Sequence, residues 1–240
     1  MARESASLQA NEPRRKRHSY LSDFIYGGID GSVTTFAIVS GVAGAGLEPA
    51  IIVVLGCANL LGDGFSMAAA NLLGVRADWQ HMRRIREREL AAIKDRPDEK
   101  RGDVERILAA KGLQGGVLDG AADAITADRD RWADCIVREG HGLALEPRSP
   151  WRAAAMTFVS FFVIGAVPLV PFGAELAGVA MGSAYSLSTA LVAVAMFTVG
   201  TLKCLFVSQR WWLGGLETLA VGGLAAGLAF LVGWLLRGLV

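Results

Sequence analysis

Residues 50–75 read AIIVVLGCANLLGDGFSMAAANLLGV, and the class of the protein turns on this stretch. It contains no lysine or arginine, and as a helix it is about 39 Å long, enough to cross the roughly 30 Å hydrocarbon core of a bilayer. Yet it carries Asp63, with Gly62 and Gly64 beside it and Met67 one turn further on. A carboxylate in lipid is costly, rare and usually functional. The residues that define a membrane helix therefore also pose the question of what the acid is for.

The rest of the chain repeats the pattern. Of its 240 residues 52% are hydrophobic and 20% charged, and the apolar ones are gathered into long runs, which is a membrane-protein signature. Four more segments reach spanning length, at about 21–44, 152–173, 184–206 and 214–238. The expected fold is an all-α membrane protein of five transmembrane helices with a helical insertion between the second and third. The first apolar segment follows RRKRH, carries Asp23 and Asp30 and lacks a small-residue cleavage site. It reads as a retained span and not as a signal peptide. The formal net charge of +1 hides segregation, because the charges sit in residues 13–18 and in a block from 76 to 149. That distribution argues against nucleic acid as a partner. Cys57, Cys135 and Cys204 show no CxxC spacing, so reduced, packed thiols are expected.

Lysine and arginine set the orientation, since short cytoplasmic loops are enriched in them. RRKRH, the arginine-rich run after Val75 and the junction holding Lys203 and Arg210 fall on one side, whereas GAGLEPA and FGAELAGVAMGSAY carry neither residue. The N-terminus is predicted to be cytoplasmic and Val240 external, in a bacterial inner membrane or an organellar one. The expected organisation is a basic segment over 1–20, two spans over 21–75, a cytoplasmic helical domain over 76–149 and three spans over 150–240. Within the domain, DWQHMRRIREREL continues the second span, while DVERILAAKGL and DRDRWADCIVREG make further helices. A charged, solvated hairpin with no task is the plain alternative.

In the spans, helical rise places Asp30 roughly 15 Å and Met67 roughly 12 Å from the cytoplasmic surface. Asp23, two turns before Asp30, shares its face nearer the mouth. Asn59, Asp63, Met67 and Asn71 recur at i, i+4 along the second helix. Carboxylate and amide oxygens suit divalent cations, and a thioether adds preference for softer transition metals over Mg²⁺ or Ca²⁺. Gly27, Gly28, Gly31, Gly62 and Gly64 would allow close helix approach, letting two side chains share an ion. The plain alternative is helix packing with protonated, hydrogen-bonded acids.

DFIYGGIDGSVTTFAIVSG, ANLLGDGFSMAAANLLG, GAVPLVPF and LETLAVGGLAAGLAFLVG resemble successive spans of the vacuolar iron transporter family. The resemblance implies a homodimeric five-helix carrier, without a tightly bound cofactor, that moves Fe²⁺ and often Mn²⁺ out of the cytoplasm in exchange for protons. It also places Asp23, Asp30 and Met67 on the translocation path. In relatives with a metal-collecting helical domain, spaced glutamates precede a tryptophan, paired methionines and a glutamate. Here Trp132 is present, but the methionine positions read Ile136 and Val137, and the glutamate position reads Gly140. Glu89 matches and Asp103 is a shortened substitute, while two other glutamate positions fall on Ala92 and Arg106. Glu105, Glu139 and His141 remain as nearby donors. The expectation is a degenerate collecting site built from Glu89, Asp103, Glu105 and Glu139.

A reading from another class is a non-transporting membrane scaffold or assembly protein whose Gly223 to Gly227 face serves helix association. A scaffold has no use for acids at matched depth. A membrane hydrolase is disfavoured because His18, His81 and His141 all lie outside the spans. Lys203 is expected to be structural, with Glu217 as its partner or facing the path, and Pro168 and Pro171 mark a kink or a stop in the third span.

Overall fold

The computed structural model describes residues 2–146, 148–179, 182–205 and 209–239, with side chains from Tyr20 onward. The side chains of RRKRH, and Phe206 at the end of the expected fourth span, lie outside the described residues. Every regular element among those described is helical. Five helices are long and apolar enough to cross a membrane, over Tyr20–Ala45, Pro49–Asp95, Pro150–Leu176, Ala184–Lys203 and Trp211–Leu236. The protein is thus an all-α integral membrane protein. It divides into two compact units, one made of residues Leu73–Ser149 and the other of the rest.

In the membrane unit, α1 (Ala2–Ala45) and α2 (Pro49–Asp95) are joined by a sharp reversal. Gly46 takes φ 74°, and the Leu47 and Gly46 amides donate back to the carbonyls of Val42 and Ala43 at 3.2 and 3.1 Å. This is a Schellman ending, which requires a left-handed residue that only glycine adopts cheaply. α1 is the central helix. Its part from Tyr20 onward packs against α6 (Pro150–Gly165) around Gly27–Gly31 and against α9 (Trp211–Leu236) around Gly41–Gly44, and α1 also meets α8 (Ala184–Lys203). Glycines allow this, since a Cβ on Gly31 would sit 2.9 Å from the Phe161 Cα. The sequence reading had these glycines drawing the two acid-bearing helices together; they draw α6 onto α1 instead, with Gly27 against Thr157 and Ser160 and Gly28 against Ile164. Gly223 and Gly227, the expected association face, have nothing within 4 Å, and it is Gly222 and Gly233 that pack in the chain.

The third span bends without stopping. After α6 come a 3-10 turn at Val167–Leu169 and a resumed helix, α7 (Val170–Leu176). Pro168 and Pro171 remove two amide donors there, and Ser188 of α8 donates its hydroxyl to the Pro168 carbonyl at 2.7 Å, satisfying backbone exposed by the bend. α2 stands further off. It meets the bundle through long side chains such as Leu60 and Met67, with Leu169 against Gly56 and Phe161 against Gly64.

The second unit contains the end of α2, then α3 (Pro97–Ala110), α4 (Gly115–Thr126) and α5 (Arg129–Cys135), which continues as a π-turn over Ile136–Gly140. Ile93, Val104, Leu108, Ala122, Trp132, Ala133 and Ile136 form its core. α3 ends at Gly112 (φ 92°) with the same capping pattern as α1. Asp128 caps α5 by accepting from the Arg131 amide at 2.8 Å. α4 was not assigned from sequence, although Leu118, Ala121, Ala122 and Ile125 repeat at helical spacing and all pack on the core.

Candidate metal-ion site

The polar stripe of α2 faces α1, and hydrogen bonds give the register. Near one end the Asn71 amide donates both to Asp23 Oδ1 at 3.0 Å and to Thr157 Oγ1 of α6 at 2.8 Å. Towards the other, Asn59 Nδ2 lies 3.4 Å from both Thr34 Oγ1 and Thr35 Oγ1. Moving twelve residues back along α2 therefore corresponds to eleven or twelve forward along α1, as antiparallel helices require. Interpolation sets Asp63 opposite Asp30, and the two are close enough for their charges to interact. Met67 falls one turn away, towards Asp23, and packs against the apolar core. The depth estimate had set Met67 and Asp30 at nearly the same height, counting each helix from its own surface; the side-chain ties shift α2 from that count by one or two residues, enough to bring Asp63 level with Asp30.

Asp23 and Asp30 share a helix face but not an environment. Asp23 is 6% exposed under Asn71 and Thr157. Asp30 and Asp63 are both exposed. Beside Asp63, Gly62 has nothing within 4 Å, so the level of the acid pair is open on that side. Thr34, Thr35 and Thr157 were not singled out from the sequence; the amides at positions 59 and 71 were the only hint that hydroxyls would be needed opposite. Among the described residues no three of His, Cys, Asp and Glu converge to hold an ion. In one chain the pair Asp30 and Asp63 thus offers two carboxylates, with the Asn59 amide and the Met67 thioether one turn to either side. Between α8 and α9, Lys203 Nζ lies 2.8 Å from Glu217 Oε2, so these two charges neutralise each other.

In the second unit every candidate acid has a basic neighbour. Glu89 is met by Lys100 at 2.8 Å and by His141 Nε2 at 3.0 Å. Asp103 is met by Lys100 at 3.0 Å and by Arg106, Glu105 by Arg101 at 2.9 Å, and Glu139 by Lys111 at 2.6 Å. This part of α2 follows the apolar 50–75 stretch and is too charged for lipid. Burial by itself raises the Glu89 carboxyl, but its pairing with Lys100 and His141 outweighs this and holds the group below the usual carboxylate range. Burial likewise works against the Lys100 ammonium, and Glu89 and Asp103 overcome it, lifting the group above the ordinary lysine value. None of these basic partners was singled out from the sequence: Lys100 and Arg106 reach Asp103 and Arg101 reaches Glu105 at helical spacing within α3, whereas no helical repeat connects Glu89 with Lys100 or Glu139 with Lys111.

Comparison with known proteins gives the same direction. Vacuolar iron transporter 1 of Tulipa gesneriana is 30% identical over 212 residues, covering 87% of this chain and 83% of that protein. Vacuolar iron transporter 1 of Oryza sativa subsp. japonica is 26% identical over 234 residues, 95% of this chain and 91% of that protein. Vacuolar iron transporter 1 of Arabidopsis thaliana is 28% identical over 211 residues, 87% and 82%. Residues 21–234 match the VIT family, spanning all five candidate membrane helices, and the chain belongs to that family.

Proposed function

We propose that this protein is a proton-coupled transporter that exports divalent iron, manganese or both from the cytoplasm, working as a homodimer in a bacterial inner membrane. It has its N-terminus in the cytoplasm and its C-terminus outside. The observation that carries the reading is the pairing of Asp30 with Asp63, two exposed carboxylates at one level of adjacent spans. Two like charges in a low-dielectric setting repel, and the pair is relieved when it shares a proton or a divalent cation. Loading metal then expels a proton and unloading recovers one, which is the elementary step of exchange. The names of the relatives, all vacuolar iron transporters, supply the cargo. The open side of the acid pair is where a second copy would add donors, since two carboxylates fall short of the six or so ligands that Mn²⁺ and Fe²⁺ take in oxygen-rich sites.

The test is metal uptake into proteoliposomes under an imposed pH gradient, scanning Fe²⁺, Mn²⁺, Co²⁺ and Zn²⁺. Uptake of Fe²⁺ or Mn²⁺ that collapses with the gradient is expected, and Asp30→Asn should abolish it while membrane insertion is retained. Gradient-independent uptake, or full transport by Asp30→Asn, would refute the coupling assigned to this pair.

A further inference from the structure

The acids of the charged unit stand where the resemblance calls for a metal-collecting site, and the residues around them do not suit one. A collecting site presents several unneutralised donors converging on one point. Here no three of His, Cys, Asp and Glu converge among the described residues. What converges is one ammonium. Lys100 Nζ stands 2.8 Å from Glu89 Oε2 on α2 and 3.0 Å from Asp103 Oδ2 on α3, bridging two carboxylates from different helices as a divalent ion would. We propose that the Lys100 ammonium is the resident cation of this unit, holding the Glu89 and Asp103 carboxylates in place of a metal, so that the unit folds independently of the cargo ion.

Burial supports the assignment. The side chains of Lys100 and Glu89 are 13% and 11% exposed and that of Asp103 is 21% exposed, so the triad is mostly removed from water. The other oxygens are also paired, with Glu89 Oε1 on His141 Nε2 at 3.0 Å and Asp103 Oδ1 on Arg106, while the buried Glu89 Oε2 has the Lys100 ion pair but no hydrogen bond. The core holds the lysine in place, because the buried Trp132 donates its indole N–H to the Lys100 carbonyl at 3.2 Å. A metal ion arriving at Glu89 would have to expel an ammonium that is already paired and desolvated, and removing one member of such a pair is strongly destabilising. The proposal stands apart from the transport reading, because it concerns only the integrity of this unit.

Hydrogen exchange on the full-length protein in detergent tests it, read on peptides covering residues 97–110 and 129–143, in EDTA and in saturating Mn²⁺. In the wild type, exchange is expected to be the same in both conditions. Lys100→Met should exchange about tenfold or more faster in EDTA, as a buried pair stripped of one partner opens more often. Mn²⁺ should slow that variant again by entering the vacated position, while Lys100→Arg, which keeps the charge, should match the wild type. Protection of the wild type by Mn²⁺, wild-type-like protection of Lys100→Met in EDTA, or no response of Lys100→Met to Mn²⁺ would each overturn the proposal. If Lys100→Met does not fold, the wild-type comparison in EDTA and Mn²⁺ still decides.

Discussion

The Asn71 amide, tying α2 to both α1 and α6, can be tested as a pairwise energy. Its two N–H groups are both used, one on Asp23 Oδ1 at 3.0 Å and one on Thr157 Oγ1 at 2.8 Å. The Thr157 hydroxyl can accept because its own hydrogen goes to the Ala153 carbonyl at 3.1 Å. Interhelical hydrogen bonds in membranes average about 0.6 kcal/mol and reach about 1.7, because the unfolded spans find other partners in the bilayer. Loss of two such bonds sets the cost of Asn71→Leu at about 1–3 kcal/mol. Thr157→Val breaks one of the same bonds, together with the local bond to Ala153. The double mutant should then be less damaged than the two single changes combined, by the energy of the one shared bond, about 0.6–1.7 kcal/mol. Equilibrium unfolding of the four proteins in mixed micelles measures this directly. Additivity within about 0.3 kcal/mol would mean that amide and hydroxyl do not interact, and the tie assigned between α2 and α6 at Asn71 would be lost.

Met67→Leu keeps volume and should cost little stability, but loss of the thioether is expected to weaken transport of Fe²⁺ and Co²⁺ more than Mn²⁺; equal losses for all metals in flux assays would remove the selectivity argument. Gly31→Ala should destabilise by about 1–3 kcal/mol through overpacking, since its Cβ would press on Phe161, whereas Gly62→Ala meets nothing within 4 Å and should be neutral. Thermal melts with the reverse order would refute the assigned contacts. In the charged unit the depressed Glu89 carboxyl contributes stability that is present above the ordinary carboxylate range and lost as pH falls through its lowered value. The raised Lys100 ammonium contributes stability that is present below the ordinary lysine value and lost as pH climbs through its raised one. Exchange protection of α3, corrected for intrinsic rate, should therefore be flat between roughly pH 5 and 10. A loss of protection well inside that range would refute the assignment of the unit's stability to Glu89 and Lys100.

The two structural anchors and the resident lysine mark the limit of what the chain declares by itself. Length and continuity of apolar runs determined that five helices are long and apolar enough to cross a membrane, because hydrocarbon demands internally satisfied backbone over about 20 residues. The same local logic marked Asp23, Asp30, Asp63 and Met67, since an acid in an apolar run is conspicuous in one dimension. The capping glycines, Gly46 and Gly112, were also readable in principle, as was the bend at Pro168 and Pro171. Only the tertiary structure decided which of these residues meet. Helix spacing says which side chains share a face, but relative translation of two helices is set by ties between them, and a shift of one or two residues brings Asp63 rather than Met67 level with Asp30. It also buries Asp23 under Asn71 and leaves Asp30 open. In the charged unit the sequence displayed four acids without saying what neutralises them. Lys100 and Asp103 are neighbours within α3, but Glu89 takes Lys100 and Glu139 takes Lys111 from other helices or beyond them, and pairing at that range follows from how the core around Trp132 packs.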